Sequence, residues 1–281
     1  MPWWGWAGLI ATGIGIAWAI NTWILPRLRG KPIKLRRRIS GIEDDLGRII
    51  EYLGDLPLAA PEIRYPFLEA QTLETQNKYP EAIKRYEACF QPEANASQRA
   101  ALHILIGNCY LQLSDLEKAE RHYKEAEAAA TQANDNEGLA AALGNTGLVY
   151  QIRGELDEAF ELYEHVLKIE RAIDRRWGEA NALGNIGNIY LRQWELDKAL
   201  DCHQQALKID KQISYREGEA QDLGNIGNVY QTKGELDKAL QHLEQALKIF
   251  EEIGAKIEID KTNRNIQQIR ESKGQEDVHK P

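Results

Sequence analysis

The sequence predicts an all-α protein, a solenoid of stacked helical hairpins preceded by a single transmembrane helix. Three observations carry this reading. Stretches of identical length align without gaps at a spacing of 40 residues: LGNTGLVYQIRGELDEA from Leu143, LGNIGNIYLRQWELDKA from Leu183 and LGNIGNVYQTKGELDKA from Leu223. Their apolar residues recur at helical rather than strand intervals. At the other end of the chain, residues 3–25 run for 23 positions without a charge.

That N-terminal stretch, as a helix, spans roughly 34 Å, slightly more than the hydrocarbon core of a bilayer. Trp3, Trp4 and Trp6 stand at one end and Trp23 at the other, where amphipathic rings favour the membrane interface. A cleaved secretory signal would need a basic start and a shorter apolar core. Here the basic cluster follows the apolar run, so residues 1–26 read as an uncleaved anchor. Residues 27–38 form a collar with Arg27, Arg29, Lys31, Lys34, Arg36, Arg37 and Arg38. Such a flank stays in the cytoplasm, which puts the N-terminus outside and the repeats inside. It also lies against anionic headgroups, making residues 3–38 the lipid-contacting part. Ala7, Ala11, Gly15 and Ala19 make a ridge of small side chains on which a second membrane helix, including that of another copy, could pack. Residues 39–56 form an amphipathic neck with Ile39, Ile42, Leu46, Ile49, Leu53 and Leu56 on one stripe. The neck is too short to be stable alone. It either docks on the first repeat or pairs in a dimer.

Charge divides the chain in the same way. The formal net charge of the 281 residues is −8, but no Asp or Glu precedes Glu43. Setting aside the seven collar residues leaves 28 basic against 43 acidic groups, a net of −15 for residues 39–281. Such a body repels nucleic acid and favours basic partner segments; it also simply keeps a helical protein soluble. Cys89, Cys109 and Cys202 are too scattered for a disulfide framework or a zinc site and sit in helical patterns, which predicts buried thiols.

The repeats divide into units at 62–95, 98–133, 139–173, 179–213 and 219–253, followed by a capping helix at 256–272 and a disordered tail at 273–281. In each unit the first helix carries the residues of Leu143, Gly147 and Tyr150, and the second those of Ala159 and Tyr163. Gly147 and Ala159 lack bulk, so the paired helices can approach. Gly154 can take a left-handed conformation and end the first helix, and Glu155 and Asp157 suit the positive end of the second. One hairpin cannot bury its stripe alone, so neighbours must stack. Trp194 replaces the turn glycine in one unit, which predicts a local change at that corner. The first unit, with Ala70, Leu73, Ala82 and Tyr86, is the least regular. Ile266 and Ile269 keep an apolar stripe in the cap, whose outer face is polar.

The spacing Leu183, Gly187, Tyr190, Ala199, Ala206 resembles the tetratricopeptide repeat over roughly residues 62–272. The 40-residue period is similar to the variant in kinesin light chains and in the scaffold called LGN. The family's helix-ending proline is absent; Arg171, Lys211 and Glu251 stand there, so the second helices run on. The resemblance implies a right-handed superhelix whose first helices line a concave groove, and a non-catalytic role in holding a partner protein.

No phosphate loop, GxSxG or HExxH occurs. Gly184-Asn185-Ile186-Gly187 lies in register with the helix pattern and follows no strand, so it reads as helix packing. The six histidines show no ligand spacing along the chain and read as surface or groove residues, with no metal or other cofactor expected. The informative residues are asparagines. Asn145, Asn185 and Asn225 repeat at 40; Asn108, Asn188 and Asn228 occupy a second register, where Leu148 interrupts. The resemblance implies that the positions of Gly144, Gly184 and Gly224, and those of Leu148, Asn188 and Asn228, face the groove. A glycine floor leaves room for a bound chain, and amides can hold an extended peptide's backbone. The same asparagines could instead fix helix stacking. Asn181, Gln221, Gln151 and Gln231 extend the lining, and Arg192 is the one cation expected there. These residues predict an adaptor for a peptide or helix, or alternatively a structural or assembly subunit of a larger membrane complex.

Overall fold

The computed structural model describes residues 61–92 and 94–278. The expected anchor, collar and neck, with the lipid and self-association surfaces assigned to them, lie outside the described residues. Among the described residues no helix is long and apolar enough to cross a membrane.

Those residues form eleven helices and no strand. They are α1 (Pro61–Thr75), α2 (Tyr79–Glu87), α3 (Ala96–Gln112), α4 (Leu116–Ala133), α5 (Asn136–Arg153), α6 (Leu156–Ala172), α7 (Arg176–Arg192), α8 (Leu196–Gln212), α9 (Arg216–Thr232), α10 (Leu236–Ile253) and α11 (Lys256–Val278). Each helix packs on the next in sequence, and the first helices of successive units also touch, α3 on α5 and α7 on α9. That pattern of near-neighbour packing is what defines a solenoid.

The repeat residues do the packing expected of them. A Cβ placed on Gly107 or Gly147 would sit 2.4 Å from Tyr123 Cε1 or 2.9 Å from Tyr163 Cε1. Both tyrosines are fully buried, so the absence of a side chain on α3 and α5 is what lets α4 and α6 close on them. His203 and Leu243 take the tyrosine's place against Gly187 and Gly227. Second helices run past the missing proline, α10 reaching Ile253. The cap buries Ile266 and Ile269, and its helix continues to Val278, beyond the expected end at 272 and into the segment expected to be disordered. Cys89, Cys109 and Cys202 are buried thiols that form no disulfide among the described residues.

Turns close each hairpin through a left-handed residue at Asn77, Ser114, Gly154, Trp194 and Gly234. The expected change at Trp194 does not occur. Its φ is 62°, and the closing bond from the Glu195 N–H to the Tyr190 carbonyl is 2.9 Å, against 3.0 Å at Glu155–Tyr150 and 2.9 Å at Glu235–Tyr230. The backbone of the hairpin dictates the corner, and Trp194 adopts it at a strain of about 1 kcal/mol. Its indole remains 73% exposed.

Candidate peptide-binding groove

First helices touch in the pairs α3–α5 and α7–α9, on the side where the repeat resemblance implies a groove. Two hydrogen bonds mark that seam. Asn145 Nδ2 donates to Asn108 Oδ1 at 3.5 Å, and Asn265 Nδ2 donates to Asn228 Oδ1 at 2.7 Å. Each joins the residue after one motif glycine to an asparagine on the next first helix. Tyr123 OH adds a 2.8 Å bond to the same Asn108 oxygen. Part of the asparagine set therefore fixes stacking.

The remainder is not used in this way. Leu148 offers Asn185 no acceptor, and no hydrogen bond among the described residues engages the side chains of Asn181, Asn185, Asn188, Asn225 or Gln231. All five are partly exposed. Gln221 donates to Glu217 on its own helix at 3.4 Å. Arg192 is not a free groove cation: its Nη1 donates to the Gln151 carbonyl at 2.6 Å, capping the end of α5. Gln151 Oε1 in turn accepts from Tyr163 OH at 3.0 Å.

The glycines divide sharply. Those at Gly107, Gly147, Gly187 and Gly227 are required by a neighbouring helix. A Cβ on Gly224 would meet nothing within 4 Å, one on Gly184 only Asp222 Oδ1 at 3.7 Å, and one on Gly144 only Val166 Cγ2 at 4.0 Å. These three are partly exposed. Glycine in a helix interior costs about 1 kcal/mol relative to alanine, and here no packing requires it.

Four polar groupings lie where sequence spacing gave no warning. Glu170, 3% exposed, is held by Arg175 through Nε at 2.7 Å and Nη2 at 2.5 Å. One unit on, Asp210 is buried beside Tyr215 rather than an arginine, and its Oδ1 has no hydrogen-bond partner among the described residues. Burial, with Asp222 and Glu219 nearby, pushes its carboxyl up to about 7. His203 is fully buried with Asp222 Oδ1 3.7 Å from its Nδ1, and burial raises the Asp222 carboxyl as well. His103 and His122 meet across the α3–α4 hairpin beside Glu125. The expectation that the histidines lie at the surface or in the groove fails for His122 and His203, both buried. They take positions that are Leu162 and Tyr163 in the next or preceding unit. Aligning the units for polar residues at apolar positions would have exposed them.

The tetratricopeptide repeat family model matches residues 98–172 and 178–252. No curated protein matches the sequence. Among solved structures, a signal transduction ATPase with a tetratricopeptide repeat sensor from Pyrococcus horikoshii is similar at 20% identity and a TM-score of 0.65, covering 92% of this chain and 41% of its own. Kinesin light chain TPR-like repeats from Podosopora anserina give 18% identity and a TM-score of 0.55, covering 67% and 94%. A Rap conjugation gene regulator in complex with a Phr peptide gives 16% identity and a TM-score of 0.62, covering 71% of this chain and 56% of its own.

Proposed function

This chain belongs to the tetratricopeptide repeat family, and from that premise we propose that it is a membrane-anchored, non-catalytic adaptor that holds a partner's peptide or helix along its first helices. The observation that carries the reading is the floor of Gly144, Gly184 and Gly224. Helical stability favours alanine at all three, and the packing would accept it. Space for a bound backbone is the benefit that offsets the cost. The unengaged amides of Asn185, Asn188 and Asn225 flank that floor and can pair with an extended chain without reading its side chains. The similar Rap regulator was solved with a peptide bound, which agrees with such a use of the fold.

Anchoring rests on the apolar run 3–25 and its basic flank. With the N-terminus outside, the repeats face the cytoplasm, and the anchor raises the local concentration of whatever they hold. The net −15 of residues 39–281 favours a basic partner. The alternative is an assembly subunit, favoured by the bonds Asn108–Asn145 and Asn228–Asn265, which show that asparagines of these registers can serve stacking alone.

Peptides selected from a display library on the detergent-solubilised chain separate the two. Changing Asn188→Ala together with Asn225→Ala is expected to weaken a selected peptide at least tenfold in fluorescence anisotropy. The urea midpoint should stay close to that of the wild type, since neither amide bonds within the solenoid. A midpoint that drops while affinity holds would assign these amides to stacking and favour the assembly reading.

A further inference from the structure

We infer that His103, His122 and Glu125 form a binding site for one zinc-class transition-metal ion, tying α3 to α4. This inference is independent of the groove. His103 comes from α3, and His122 and Glu125 lie one turn apart on α4. His103 Nδ1 stands 3.1 Å from His122 Nδ1. Glu125 Oε2 is 3.0 Å from the first nitrogen and 3.5 Å from the second. Ligand atoms placed about 2.0–2.2 Å around a tetrahedral Zn2+ stand about 3.3–3.6 Å apart. The three atoms therefore already occupy one face of such a tetrahedron to within a few tenths of an ångström, and water or a ligand from elsewhere would fill the fourth position.

The surroundings suit a ligand set better than a packing role. In the next unit the positions of His103 and His122 hold Leu143 and Leu162, which share an apolar cluster. The hairpin thus closes on two leucines elsewhere and has no need of imidazoles here. Phe90 packs on the His103 ring at 4.8 Å, and Tyr110 stacks on the His122 ring at 5.4 Å and 18°. These contacts hold both rings in place, which is what a preorganised metal site requires. Burial lowers the proton affinity of both histidines, although Glu125 opposes it. The neutral imidazole is the form that binds metal. Charges of both signs act on the pair, Arg99 and Arg121 against Glu125 and Glu87. Two imidazoles and one carboxylate favour Zn2+ and its neighbours over Ca2+ and Mg2+, which prefer all-oxygen shells.

The test is competition between the full, detergent-solubilised chain and a chromophoric chelator for added Zn2+, with Ca2+ and Mg2+ as controls. One saturable equivalent of Zn2+ is expected, neither control ion should compete, and a hundredfold excess over Kd should raise Tm by roughly 5–10 °C. Glu125→Gln should weaken binding at least tenfold. His103→Leu with His122→Leu installs the pair the next unit already packs, so that variant should keep its helicity and lose the site. Saturable binding absent from the wild type, or unchanged in the double-leucine variant, would overturn the inference and leave only a hydrogen-bonded pair of imidazoles.

Discussion

Arg175→Ala is expected to lower the stability of the solenoid by about 3 kcal/mol, the cost of leaving a buried carboxylate without its partner. Glu170 is 3% exposed, and Arg175 meets both of its oxygens. Its carboxylate fills the space above Gly178, where a Cβ would lie 2.2 Å from it. The other units show what else the position accepts. Phe250 and Ala255 stand there in the last full unit, Ala130 and Asp135 in the second, and Asp210 and Tyr215 in the fourth. Asp210 shows the consequence of removing the arginine, a carboxyl held neutral more readily because burial drives it up to about 7. Hence Glu170→Phe combined with Arg175→Ala, the pairing found at 250 and 255, should recover most of the loss. Urea denaturation with an unchanged m-value measures both. If the double variant is as unstable as Arg175→Ala alone, the cost does not come from the stranded charge.

Gly107→Val should be at least as damaging, about 3 kcal/mol or more. The new Cβ falls 2.4 Å from Tyr123 Cε1. The ring cannot move aside easily, because it is fully buried and its hydroxyl is bonded to Asn108 at 2.8 Å. Helices α3 and α4 would have to separate, opening the second unit and loosening the stack on either side. The same urea experiment reads it out, and a loss under 1 kcal/mol would mean that the hairpin tolerates a wider crossing than the structure shows.

The architecture was legible because it repeats. Leu143, Gly147, Tyr150, Ala159 and their counterparts at 40-residue intervals specify hairpins that must stack, and the structure has them at those places. The turn glycines were legible for the same reason. Trp194 was misread because residue type was given more weight than the hairpin that encloses it. The groove was legible only in part. Position in the repeat implies a face, but which amides are bonded within the stack depends on pairs 37 residues apart. Asn108 meets Asn145 and Asn228 meets Asn265, whereas Leu148 breaks the series. Arg192, the cation expected in the groove, donates to the Gln151 carbonyl at the end of α5, a contact that no linear spacing foretells. The His103–His122–Glu125 cluster was invisible to linear spacing, since two of its members lie 19 residues apart and meet only through the crossing of α3 and α4.

The central claim, that the floor glycines exist for a guest chain, is tested most directly by Gly184→Ala with Gly224→Ala. Stability and affinity for a selected peptide are measured on the same protein. Alanine adds helix propensity of up to about 1 kcal/mol per site, so the urea midpoint should rise while the peptide binds at least tenfold more weakly. Undiminished affinity in the more stable variant would contradict the claim.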